Sequence, residues 1–126
     1  MSAKVLIVDD SAVMRKVIIG ILTRMGVESD SISQAEDGVQ AVKAVSDGGN
    51  FDLILMDWNM PNMLGIDAVK TIRGNGDKTP ILMCTTEGEK QNVVTAIQAG
   101  ANNYLVKPFN EKDLREKLEQ MVPGLC

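Results

Sequence analysis

Short apolar runs recur along the chain, and most of them stop at a residue with chemistry to offer. Lys4-Val5-Leu6-Ile7-Val8 runs into Asp9-Asp10, and Leu53-Ile54-Leu55-Met56 into Asp57. Pro80-Ile81-Leu82-Met83-Cys84 runs into Thr85-Thr86, and Asn103-Tyr104-Leu105-Val106 into Lys107-Pro108. Apolar residues on consecutive rather than alternate positions read as strands buried on both faces, as in a parallel sheet covered by helices. A weaker strand is expected near Ser31 to Ala35.

Between these runs the period changes to three and four. Val13, Met14, Val17, Ile18, Ile21, Leu22 and Met25 form one helical stripe, with Ser11 as N-cap and Gly26 as the left-handed closing residue. A second helix begins around Asp37-Gly38, turns Val39, Ala41, Val42 and Val45 inward, and ends at Gly48-Gly49-Asn50. A third spans Leu64 to Arg73 on Ile66, Val69 and Ile72, before the turn cluster Gly74-Asn75-Gly76-Asp77. Gln91 to Ala99 is the fourth, stopped by Gly100. Asn110 opens the last, with Asp113 completing a capping box, Leu114, Leu118 and Met121 as its stripe, and Pro123-Gly124 as its end. Strand and helix alternate five times, so the fold class is α/β: a (βα)5 three-layer sandwich around a five-stranded parallel sheet.

Composition narrows the class. A chain of 126 residues with 44% hydrophobic content suits one domain over residues 1–126. No apolar run nears the roughly 18 residues of a membrane span, and no leader precedes the first strand, so a cytoplasmic protein without membrane insertion is expected. A net charge of −4 and 3% aromatic residues argue against nucleic-acid binding. Cys84 reads as a buried small hydrophobe and Cys126 is the last residue, so a disulfide between them is not expected. There is no histidine, which excludes Ser-His and Cys-His nucleophile pairs, an ordinary zinc site and a phosphohistidine on this chain.

The strand ends then define candidate chemistry. In a parallel sheet all carboxyl ends share one edge. In the flavodoxin-like order 2-1-3-4-5, which is taken over from that fold type, strands one and three are neighbours at the switch point. Asp9, Asp10 and Asp57 then meet in one crevice beside Thr85 and Lys107. Three adjacent carboxylates repel unless a cation or protons intervene, and magnesium suits an all-oxygen set shared with a phosphate. Lys107 can neutralise a phosphate oxygen, Thr85 can donate to another, and an aspartate can be the nucleophile of phosphoryl transfer. Taken singly, Asp9-Asp10 would pass for helix N-terminal acids, Thr85 for a strand-end turn residue and Lys107 for a solvated lysine. Their conjunction at four strand ends is what sets them apart.

The chain resembles the receiver domains of two-component response regulators, in size the single-domain chemotaxis type. The resemblance rests on Val8-Asp9-Asp10-Ser11, Met56-Asp57-Trp58-Asn59-Met60-Pro61, Thr85-Thr86-Glu87, Gly100-Ala101 and Tyr104-Leu105-Val106-Lys107-Pro108-Phe109. It implies that Asp57 is the phosphoacceptor for a histidine kinase. It implies that Asp10, Asp57 and the backbone carbonyl of Asn59 bind Mg2+ directly, with Asp9 acting through water. Thr85 and Lys107 would contact the phosphoryl oxygens, and Lys107-Pro108 would be a cis peptide. Thr85 and Tyr104 would form a switch acting on the surface of helix four, strand five and helix five. Implied partners are the kinase, an output protein such as a flagellar motor switch component, and a phosphatase acting on a monomer. Self-phosphotransfer and autodephosphorylation would be its only catalysis. Thr86 stands where relatives often carry a smaller residue, and its bulk is expected to slow access of water to phosphorylated Asp57. Ser11 is smaller than is common in chemotaxis members, whereas Asn59 and Glu87 match their pairing.

Other readings make different demands. A phosphorelay shuttle, or the receiver part of a longer regulator, would use the same site. A magnesium-dependent phosphohydrolase would need a general acid two residues after the nucleophile, where Asn59 stands, and a cap over its substrate. A flavin carrier of this fold would need a phosphate-binding loop after strand one, where Asp9-Asp10 would repel the phosphate.

Overall fold

The computed structural model describes residues 3–124. Cys126 and its pairing therefore lie outside the described residues. Strands β1 (Val5–Val8), β2 (Ile32–Ala35), β3 (Leu53–Met56), β4 (Ile81–Thr85) and β5 (Asn103–Val106) form one parallel sheet in the order β2-β1-β3-β4-β5. Helices α1 (Ala12–Arg24), α2 (Gly38–Ser46), α3 (Gly65–Gly74), α4 (Lys90–Ala99) and α5 (Glu111–Met121) connect or follow them. No helix among the described residues is long and apolar enough to cross a membrane.

Alternation along each central strand separates two cores. Val5, Ile7, Leu53, Leu55, Leu82 and Cys84 face Ile18, Ile21 and Leu22 of α1 and Leu114 and Leu118 of α5. Leu6, Val8, Ile54, Met56, Ile81 and Met83 face α2, α3 and α4 through Ala41, Ile66, Val69, Ile72 and Ala96. The central strands are buried along their whole length, whereas Ser33 and Gln34 of edge strand β2 are exposed. That is why β2 is weak in sequence: an edge strand with one covered face has no continuous apolar run.

The expected caps are present. Ser11 accepts from the Met14 N–H, Asp37 caps α2 by accepting from the Gln40 N–H, and Asn110 and Asp113 form the capping box of α5. Gly26 carries φ of 106° directly after the α1 C-cap, a left-handed position suited to glycine. Several boundaries move by one residue: β1 starts at Val5, α3 runs Gly65–Gly74 with Leu64 as its cap, α4 starts at Lys90, and β4 runs Ile81–Thr85, so Thr85 is the last strand residue and Pro80 precedes it.

Three inward assignments are corrected. Val13 is 73% exposed, and Val17 and Val39 are each 49% exposed. At about 100° per residue, Val17 lies about 100° from Ile18, on the flank of the buried stripe, Val13 lies about 140° from it, toward the far side, and Val39 falls opposite Ala41. Arg15 takes the buried position on α1 instead.

Leu55 is 1% exposed on the central strand. Leu55→Ala should cost about 3 kcal/mol of stability from lost burial and the cavity left behind, read as a lowered urea midpoint. A change below about 1 kcal/mol would contradict this placement of the core.

Candidate functional site

The site forms where β1 and β3 end side by side. Val8 and Met56 are register partners, so Asp9 and Asp57 emerge together. The Asp57 N–H donates to the Val8 carbonyl at 2.9 Å, and the Asp9 N–H to the Ala35 carbonyl at 3.1 Å, extending the ladder past the last apolar residues. Oxygens of Asp9, Asp10 and Asp57 lie within 4.8 Å of one another. Asp9 and Asp57 are buried and Asp10 is exposed. Such a cluster of oxygen donors fits a hard divalent cation.

Lys107, from the far end of β5, offsets part of this charge. Its ammonium donates to Asp9 Oδ2 at 2.6 Å and lies 3.5 Å from Asp57 Oδ2. The Lys107–Pro108 peptide is cis. Asp9 Oδ1 accepts from the Ser11 N–H at 2.8 Å, and Asp57 Oδ1 from the Trp58 N–H at 2.7 Å. Burial raises the Asp57 carboxyl above its ordinary value; Lys107 opposes this, and Asp9 and Asp10 reinforce it. Burial pulls Lys107 down, but its bond to Asp9 and the charges of Asp57 and Asp9 outweigh that, so the ammonium titrates above its usual value. Cys84 is fully enclosed near the same charges, and burial pushes its thiol up to about 12.

Glu87 organises the rim. Its N–H donates to Thr85 Oγ at 3.2 Å, and its carbonyl accepts from the Tyr104 hydroxyl. Its carboxylate accepts from Asn59 Nδ2 at 2.7 Å and Asn92 Nδ2 at 3.3 Å. One residue thus joins the loop after Asp57, the end of β4, the buried ring on β5 and the first turn of α4. Burial, then the Glu87 charge, pushes the Tyr104 phenol up to about 12, so it remains a neutral donor.

The response regulator receiver domain model matches residues 5–119. The chain belongs to this family. The receiver is 45% identical over 121 residues to a chemotaxis protein CheY homolog of Campylobacter jejuni, covering 94% of this chain and 92% of the relative. It is 46% identical over 118 residues to chemotaxis protein CheY1 of Helicobacter pylori, covering 92% and 94%. Among solved structures it is similar to Vibrio cholerae chemotaxis protein CheY4, with TM-score 0.85, 37% identity and coverage of 97% and 100%. The receiver domain of Francisella response regulator 1452 matches with TM-score 0.85, 27% identity and coverage of 94% and 95%. The protein is a two-component response regulator, a family in which phosphorylation and Mg2+ binding at an acidic pocket are typical.

Every residue expected at the receiver's site lies at this edge of the sheet. Asp9, Asp10, Asp57 and Lys107 converge directly, while Thr85, Tyr104 and Asn59 are tied together through Glu87. Four further contributors, Gly65, Asp37, Asn62 and Arg15, were not assigned to the site from the sequence. Gly65 opens α3 against the loop: a Cβ there would lie 1.8 Å from the Asp57 carbonyl oxygen, and its N–H donates to the Trp58 carbonyl at 2.8 Å. Asp37 not only caps α2 but accepts from Asn62 Nδ2 at 2.7 Å, and the Gln40 N–H and Asn62 amide hold its carboxyl below the usual range. Asn62, with φ of 67°, centres a tight turn in which the Met63 N–H donates to the Pro61 carbonyl at 2.7 Å. The fourth is Arg15. A glycine opening the helix that follows the Asp57 loop is the one local signal that could point to Gly65; the Arg15–Asp9, Arg15–Gln34 and Asn62–Asp37 bonds depend on the folded arrangement.

The raised Asp57 carboxyl sets a pH-dependent stability. Below its ordinary value of 3.8 the group is neutral in both folded and unfolded chains, and the fold bears no cost for it. As pH rises through the higher folded value, the buried carboxylate ionises and stability is lost. In chelator, Asp57→Asn should therefore unfold at higher urea than the parent at pH 7, with the gap closing at about pH 3.5. An equal gap at both pH values would contradict the assignment.

Proposed function

We propose that Asp57 accepts a phosphoryl group from a histidine kinase and that the resulting charge resets the surface of α4, β5 and α5. The observation that carries this reading is the buried Asp57 carboxylate facing Asp9, Asp10 and the Lys107 ammonium across adjoining strand ends. An Asp57 oxygen attacks phosphorus, the bond from phosphorus to the kinase's histidine nitrogen breaks, and that nitrogen leaves with the electron pair. Asp10, Asp57 and the Asn59 carbonyl would hold Mg2+ directly, and Asp9 through water. When bound, the ion would neutralise the acids and draw charge from the phosphoryl oxygens. Lys107 keeps its proton at neutral pH and contacts one phosphoryl oxygen; the Thr85 hydroxyl donates to another. The chain's catalysis is confined to its own phosphorylation and dephosphorylation.

Thr85 and Tyr104 meet on the same residue, Glu87, which supports their role as the switch. If the Thr85 hydroxyl turns to the phosphoryl group, its bond to the Glu87 N–H is lost, and the loop that Tyr104 grips moves with it. The adjoining surface carries Val94, Ile97 and Val106, each more than a third exposed, as apolar contacts for an output protein. The relatives named as chemotaxis proteins support a role in chemotaxis; on this reading the chain is a cytoplasmic monomer that acts on a flagellar motor switch component and is reset by a phosphatase.

Trp58 adjoins Asp57 and is the one tryptophan of the chain. Mg2+ followed by acetyl phosphate or beryllium fluoride should change its fluorescence, and Asp57→Ala should abolish the second change. A flat response in the intact protein would sink the reading. Thr86 is exposed beside the site. Thr86→Ala should speed loss of the phosphoryl group several-fold, measured by stopped flow after donor removal; an unchanged rate would show that Thr86 does not screen phosphorylated Asp57.

A further inference from the structure

We infer that Arg15 is a positioning residue for the acidic cluster: its guanidinium fixes the Asp9–Asp10 peptide and so aims the Asp10 carboxylate at the cation. The inference rests on the magnesium reading above. Arg15 is 9% exposed although it lies on the first turns of α1. Its Nη1 donates to the Asp9 backbone carbonyl at 2.6 Å in a buried contact, and its Nε to Gln34 Oε1 on β2 at 2.9 Å. Glu36 lies 3.9 Å from Nη2, at the margin of an ion pair.

Asp9 is thereby held at each of its polar groups. Its N–H is bonded to Ala35, its carbonyl to Arg15, and its carboxylate to Ser11 and Lys107. The Asp9 carbonyl and the Asp10 N–H belong to one planar peptide, so fixing the first fixes the direction in which Asp10 leaves it. The Asp10 carboxylate has no hydrogen-bond or ion-pair partner among the described residues, so its aim comes from its backbone. Partners behind the metal ligands that set ligand direction change metal affinity by about 10–100-fold when removed.

The sign of the effect separates positioning from charge. Coulomb attraction alone says that removing a cation near three acids strengthens binding of another cation. Positioning says the opposite: Arg15→Met should weaken Mg2+ binding about tenfold, within the range for such partners. It should weaken Ca2+ less, because Mg2+ demands near-octahedral placement and Ca2+ tolerates distortion. Both affinities are read by Trp58 fluorescence titration, with the urea midpoint in chelator measured alongside to establish that the variant is folded. Arg15→Lys, which can reach one partner but not both, and Gln34→Ala, which frees Arg15 on one side only, should give smaller losses in the same order of ions.

Unchanged or tighter Mg2+ binding in folded Arg15→Met would overturn the inference. Should that variant not fold, unchanged binding in both Arg15→Lys and Gln34→Ala would overturn it. A lowered urea midpoint with unaltered metal affinity would mark Arg15 as a purely structural residue. If the parent protein itself shows no response to Mg2+, the magnesium reading fails and takes the inference with it; if the parent responds and the variants match it, only the inference fails.

Discussion

Parallel pairing of β1 with β3 in register places two buried acids at neighbouring strand ends, and the rest of the site answers that crowding. Like charges held so close are unfavourable in a poorly hydrated crevice. Lys107 relieves part of the repulsion from the side of β5, and backbone N–H groups of Ser11 and Trp58 relieve more. What remains unbalanced is negative charge, which a cation at the site would offset. Slipping β3 by one residue against β1 would turn the β3 side chains to the opposite faces and move Asp57 away from Asp9.

The rim links the site to the neighbouring surface. Glu87 uses its backbone for Thr85 and Tyr104 and its carboxylate for Asn59 and Asn92. The short loop bonded to Thr85 also accepts from the Tyr104 hydroxyl of β5 and, through Asn92, holds the start of α4. The opposite end of α4 is anchored: Arg73 donates to the Gly100 carbonyl at 3.0 Å and to Asn102 Oδ1 at 2.9 Å. A helix fixed at its carboxyl end and held at its amino end through Glu87 is suited to swing rather than slide.

Much of this was legible before any coordinates. Consecutive apolar positions ending in Asp9, Asp57, Thr85 and Lys107 announce doubly buried strands with polar ends, because such strands tolerate polar residues only where they leave the core. Helix faces were read less well. Val13, Val17 and Val39 are apolar but turned outward, and a stripe drawn through every apolar residue spans more of the helix than the core covers. The capping side chains Ser11 and Asn110 could be read because their bonds are local. The bonds of Arg15 to Asp9 and Gln34, of Asn59 to Glu87 and of Asn62 to Asp37 join separate elements, and no short sequence pattern encodes them. Gly65 has the sequence context of an ordinary helix residue, yet its missing side chain is what lets α3 begin against the Asp57 loop.

Cys84 gives the site one more property. Thiolates are stronger nucleophiles toward many reactive donors than carboxylates, and a thiol lies in β4 within the electrostatic reach of Asp57 and Lys107. Complete burial keeps its proton in place far above physiological pH, so it presents neither a competing acceptor nor an oxidisable anion.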